Sequence, residues 1–314
     1  MVDRDVALEA LSALCNATVT SVQKQAAEQQ AGVKGAWNYG EPEQLNIRTL
    51  VHTVLTGEAS CLKSGPVFQG IQSGGQAKDH VQPRRKKKFH MPFKFHRPFN
   101  YKLRQTASSF LLEKDIYEEL PGKLYIIDED EFFDPMYHFD FTNVKDSQTY
   151  SRGGETYERP CGWYRLGLKV LDQYGENTWL GNTNRSTQSV AGEWPVSYHG
   201  TSQGGAEGII KRRYEPGLRA AFGHGVYSTP DLSDVNVFAK SFTSQKTGKT
   251  YKVILQNRIN PEHREKCLYD KYWLVPVPRD ASDEKEEELV ERAIRPYGLL
   301  LKEVRNTTLG RSTL

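Results

Sequence analysis

The strand-like runs of the second half of the chain, "KLYIID", "GWYRLGLKVL", "WPVSYHG", "TYKVILQNRI", "YWLVPV" and "YGLLLKEV", are short and unevenly spaced. Helical patterns fall between only some of them. Parallel sheets need a crossover between every pair of strands, so this irregularity argues against βαβ alternation and predicts an α+β chain with antiparallel pairing. Two inserted helices are legible. "STPDLSDVNVFAKSF" predicts one with Thr229 as N-cap, Pro230 at the first helical position and an apolar face of Leu232, Val235, Phe238 or Ala239, and Phe242. "SDEKEEELVERAI" predicts another, with Ser282 as N-cap, acids in the first turn, and Leu289, Val290 and Ala293 for packing.

Upstream, Leu8, Leu11, Cys15, Val19 and Val22 recur at helical spacing, and Ile47, Leu50, Val51, Val54 and Leu55 do so again before Gly57, which offers a C-cap. The stretch from Glu58 to Gln82 is rich in Gly, Ser and Gln and reads as a linker. Three intervals follow: a helical N-terminal segment (1–57), a linker with a basic and aromatic stretch (58–109), and a mixed α+β domain (110–314). Its 314 residues are enough to bury a sizeable core. Neither an apolar run of membrane-spanning length nor a secretory signal is read, so the expected compartment is intracellular, nuclear or cytoplasmic. Cys15, Cys61, Cys161 and Cys267 have no close pair, which predicts reduced thiols and no structural metal.

The net charge of +3 conceals two opposed blocks. Between Arg84 and Arg104 stand nine Lys or Arg and no acid, interleaved with Phe89, Phe93, Phe95, Phe99 and Tyr101. Cations alternating with aromatics suit a nucleic-acid backbone with base stacking, and "RRKKK" suits nuclear import. From Glu113 to Asp134 nine acids face two lysines. The blocks would equally well pair with each other as solvated tails.

The chemistry-bearing pattern begins at Tyr198-His199-Gly200-Thr201, continues at Gly223-His224-Gly225-Val226-Tyr227, and reaches Phe238 on the next helix. Singly, these residues have plain structural explanations as turn, core and packing positions. Their order and spacing resemble the ADP-ribosyltransferase fold, in its poly(ADP-ribose) polymerase-like branch, over roughly 189–304. That resemblance implies a split antiparallel β core with inserted helices, NAD as substrate, and no metal.

By the same resemblance, His199 would hold a ribose hydroxyl, and Gly200 and Thr201 would line the same pocket, Gly200 bonding the carboxamide through its main chain. Tyr227 and Phe238 would sandwich the nicotinamide ring. Arg212, Arg213 and Arg219 would meet the pyrophosphate. The sequence departs from the pattern twice. Val235 occupies the usual serine position, with Ser233 two residues away. Lys271 stands where a catalytic Glu is usual, and Asp270 precedes it on what alternation makes the opposite face. The expected activity is therefore mono-ADP-ribosyl transfer from NAD to a protein or nucleic-acid acceptor, a glycosyltransferase reaction. The alternatives are a catalytically silent NAD or ADP-ribose-binding module, a nucleic-acid-binding protein built on residues 84–104, and an RNA 2′-phosphotransferase of related fold. The segment around Cys161, Trp163 and Trp179 receives no catalytic role: two core aromatics and a buried thiol.

Overall fold

Asp3 accepts a hydrogen bond from the Asp5 N–H and starts helix α1 (Arg4–Cys15), and Asn16, in the left-handed region at φ 49°, ends it. The computed structural model describes residues 2–31, 41–63, 123–182, 186–200 and 223–304. The helical period read through Val19 and Val22 therefore breaks at Asn16. The β-branched run Thr18–Ser21 forms strand β1, and Val22 opens a new helix, α2 (Val22–Gln30), whose N-cap Ser21 accepts from Lys24 N–H. After β2 (Glu43–Gln44), α3 (Leu50–Lys63) runs straight through Gly57, so that glycine is not its cap. Strand β3 (Leu124–Ile127) lies between β1 and β2 and is parallel to both. This parallel sheet departs from the expected antiparallel pairing, because its three strands come from separate stretches of chain rather than from hairpins.

Helix α4 (Glu129–Phe132) follows, then the short strands β4 (Phe139–Asp140), β5 (Tyr150–Arg152), β6 (Glu155–Tyr157) and β7 (Tyr164–Gly167). Next come β8 (Val196–His199), β9 (Gly225–Ser228), helix α5 (Leu232–Phe238), β10 (Lys240–Thr243) and the ten-residue β11 (Thr250–Ile259). The chain continues through β12 (Glu265–Cys267), β13 (Tyr272–Pro276), α6 (Asp283–Ala293) and β14 (Ile294–Glu303). These pair antiparallel as a six-stranded sheet in the order β10-β11-β14-β7-β4 with β8 also on β11, a three-stranded sheet β12-β13-β9, and the hairpin β5-β6. The chain is thus α+β with several antiparallel sheets.

One edge of β11 is taken along its length by β14. The other is shared end to end: β10 pairs with Thr250–Val253 and β8 with Leu255–Arg258. The chain leaves the sheet at Gly200 and re-enters at Lys240, where Lys240 N–H donates to Gly200 O at 3.2 Å. β9 and α5 belong to the excursion from this gap.

Helix α5 begins later than its sequence pattern predicts. Asp231, not Thr229, is the N-cap, its carboxylate accepting from Ser233 N–H and Asp234 N–H. Ser282 caps α6 as expected. Trp163 and Trp179 are fully buried core residues, and Arg295 lies over the rings of Tyr174, Trp179 and Trp194. Among the described residues, no helix is long and apolar enough to cross a membrane. The basic stretch 84–104 and most of the linker lie outside the described residues.

Leu8, Leu11 and Leu14 of α1 and Leu50 and Val54 of α3 share one hydrophobic core with Val253 and Leu255 of β11 and Leu299 and Leu301 of β14. Leu11 is wholly buried there. Leu11→Ala is expected to cost about 2–5 kcal/mol and to lower the melting of the antiparallel sheet together with that of the N-terminal helices. Two separate thermal transitions, with only the first displaced, would contradict a shared core.

Candidate functional site

Four successive buried residues make up β8, so neither of its faces meets solvent. Tyr198 and Thr229 exchange two backbone hydrogen bonds, of 2.8 and 3.0 Å, which tie the end of β8 to the end of β9. Next to this bridge, His199 Nδ1 lies 2.8 Å from Tyr227 O. A carbonyl oxygen only accepts, so Nδ1 carries the proton. Burial pushes the imidazole below its ordinary range, against the opposing pull of the Tyr227 carbonyl, and the ring is neutral near pH 7. Nε2 is then a bare acceptor, and it is buried with no hydrogen-bond partner among the described residues. Buried polar atoms without partners are rare, and this one stands at the head of the first motif.

The glycines of both motifs answer to close packing. A Cβ on Gly200 would lie 3.0 Å from Ile254 Cγ2 and Val235 Cγ2 and 3.2 Å from Ala239 N, so the bare glycine lets α5 seat against the end of β8. Gly225 sits at φ +152°, where a Cβ would come within 2.0 Å of Val275 O on the neighbouring β13. Its absence lets Tyr227 enter a regular strand. That ring is nearly buried in a cluster with Cys267, Tyr272 and Leu274, against which Phe238 and Leu268 pack, and its hydroxyl donates to Gly223 O at 2.7 Å. His199, Gly200, Tyr227 and Phe238 are thus neighbours around the start of the excursion: the imidazole by a backbone bond, the glycine under α5, the two aromatics in one cluster.

The remaining predicted residues divide. Ser233 is exposed and spends its hydroxyl on the Asp231 carboxylate at 2.6 Å. Asp270 lies in a turn in which Leu268, Tyr269 and Asp270 all have positive φ; its side chain is 67% exposed and pairs with Lys266 at 3.4 Å. Lys271 precedes β13 with its amine half-exposed, 3.9 Å from Asp234 Oδ2. Thr201, Arg212, Arg213 and Arg219 lie outside the described residues.

Sequence reasoning missed three participants. Thr229 is a junction rather than a cap: its hydroxyl donates to Lys271 O at 2.8 Å and accepts from Asp231 N–H at 3.0 Å. Glu158, from the segment given no role, accepts the Leu232 N–H at 2.7 Å and so anchors the start of α5, and its carbonyl accepts from Tyr198 Oη. Burial, offset in part by that N–H and helped by Asp231, pushes the Glu158 carboxyl up. Asp234 is the third. None had a motif to announce it, since each acts through tertiary contact. Cys161 is only half-buried, and burial, with the Asp146 carboxylate, raises its thiol, which is the opposite of an activated nucleophile.

No protein-family model matches the chain, and no curated protein matches it either.

The imidazole makes a pH prediction. His199 takes up a proton in the unfolded chain near its ordinary 6.5 and in the folded chain only at lower pH. Stability contributed by the neutral form is therefore complete above 6.5 and declines as pH falls toward the folded value. His199→Gln is expected to flatten that limb of the stability profile in chemical denaturation between pH 7 and 5. An unchanged slope would show that the imidazole titrates as it does in solvent.

Proposed function

We propose that this chain binds NAD where β8 and β9 meet and transfers single ADP-ribose units to a macromolecular acceptor, releasing nicotinamide. The observation that carries this reading is His199 Nε2, a buried acceptor on a neutral imidazole whose other nitrogen is committed to Tyr227 O. Such an atom fits a ribose hydroxyl, which donates the bond the protein leaves unmade. The ordered His-Gly-Thr and Gly-x-Gly-Val-Tyr motifs give the same assignment by resemblance.

NAD supplies an ADP-ribosyl group already joined to a good leaving group. The protein's task is to orient that bond and balance the positive charge that develops as it breaks. His199 would fix the ribose, while Tyr227 and Phe238, which already share a cluster, offer apolar faces to a flat ring. Gly200, whose carbonyl accepts from Lys240 N–H, would offer its own N–H to a carboxamide oxygen. Thr201, Arg213 and Arg219 would complete the cofactor contacts. Transfer of single units, rather than polymer synthesis, follows from Lys271, a cation where a base for an incoming ribose hydroxyl would stand. The same lysine favours a second reading, a module that binds NAD without turning it over. A protein or nucleic-acid acceptor in the nucleus or cytoplasm, engaged in part through residues 84–104, fits the transfer reading.

Incubation of the full chain with nicotinamide-labelled and adenylate-labelled NAD, with candidate proteins and nucleic acids present, is expected to release nicotinamide and to leave single units on an acceptor. Tyr227→Ala is expected to weaken NAD binding in calorimetry by about 1 kcal/mol or more. Binding without release would establish the second reading, long polymers would refute single-unit transfer, and absence of NAD binding would refute both.

A further inference from the structure

Lys271, half-exposed, stands where the resemblance expects a carboxylate. Four acidic side chains lie near enough to be considered, and three are committed elsewhere. Asp231 caps α5 and binds the Ser233 hydroxyl. Glu158 holds the Leu232 N–H. Asp270 stands in solvent beside Lys266. Asp234 differs. Its side chain is 14% exposed, its Oδ2 is fully buried, and that oxygen has no hydrogen-bond partner. Among the described residues, its ion-pair partner is Lys271, with Nζ at 3.9 Å, too long for a hydrogen bond and on a half-exposed side chain.

Its position on α5 gives it direction. Residues four apart lie on one face of a helix, so Asp234 shares a face with Phe238, and Phe238 packs on the Tyr227 cluster. Lys271, on the other side, leads directly into β13, which pairs with β9 through Leu274 and Tyr227. The carboxylate therefore reaches from the helix that carries Phe238 toward the residue that leads into β13, the strand paired with the one that carries Tyr227.

We infer that Asp234 is the carboxylate of this site, supplied from helix α5 in place of the acid that the strand position lacks, and that Lys271 is its counter-ion in the absence of substrate. This inference rests on the NAD-transfer reading. In the step it serves, the bond between ribose C1′ and the nicotinamide nitrogen breaks and its electron pair leaves on that nitrogen. The acceptor's lone pair forms the new bond to C1′, and any proton on the acceptor passes to solvent. Asp234 faces the positive charge that builds on the ribose between these events. It takes no proton, so single-unit transfer is unaffected.

The test uses the full chain and reads NAD affinity by calorimetry alongside nicotinamide release. Asp234→Asn is expected to lower kcat about 100-fold while leaving the NAD dissociation constant within about threefold, since the carboxylate acts on charge absent from the ground state. Asp234→Glu is expected to recover part of the loss. The reversed pair, Asp234→Lys with Lys271→Glu, returns a carboxylate to the strand and is expected to release nicotinamide faster than Asp234→Asn. Wild-type turnover in a folded Asp234→Asn variant overturns the assignment and leaves the NAD-transfer reading standing. So does equal loss of kcat and affinity, or a wild-type protein that binds NAD without releasing nicotinamide. A wild-type protein that binds no NAD overturns the reading beneath it.

Discussion

The backbone exchange between Tyr198 and Thr229 is the joint on which the site depends. It links a six-stranded sheet to a three-stranded one at the point where the first is interrupted, because β8 and β10 share a single edge of β11. Without that link, the imidazole of His199 would have no fixed carbonyl to donate to, and the hydroxyl of Thr229 would not reach the carbonyl before β13. Five polar contacts thus set the relation of β8, β9, β13 and the start of α5.

The helix seated on this joint is only seven residues long, too short to hold its shape on propensity alone. It is held by its surroundings. Asp231 and Glu158 satisfy N–H groups at its first turn, and Leu232 and Val235 bury themselves against Tyr198 and Ile254. Burial raises the Asp231 carboxyl, but the Ser233 hydroxyl, the two backbone N–H groups and the Lys271 amine outweigh it and hold the group below the usual range. The acids that build the helix are separate from Asp234, which faces Lys271 instead.

Much of the architecture was legible because hydrophobic alternation and caps are local signals. The runs read from 110 onward became β7, β8, β11, β13 and β14, and Ser282 capped its helix as its spacing indicated. Errors arose where a tertiary partner overrode a local pattern. The period through Val19 looked helical, yet Thr18–Ser21 had a strand waiting in Leu124–Ile127, more than a hundred residues away. Thr229-Pro230 had the form of a cap, yet Thr229 was claimed by Tyr198 and Lys271. Within the site, the ordered motifs picked out His199, Gly200, Tyr227 and Phe238, which the fold makes neighbours. The sequence could not reveal Asp234 or Glu158, since their environment is built by residues distant along the chain.

The bond that orients the imidazole runs to the main chain of Tyr227 and not to its ring. The aromatic surface is held separately, by the cluster around Cys267, Tyr272 and Leu274 and by the hydroxyl contact with Gly223. The main chain and the side chain of Tyr227 therefore serve separate contacts, one polar and one apolar. Exchanging the side chain at 227 alters the cluster around Cys267, Tyr272 and Leu274 and leaves the hydrogen-bonding direction of His199 where the backbone put it. Change at position 227 is thereby confined to packing, and the direction in which the neighbouring imidazole presents its free nitrogen is set by main chain alone.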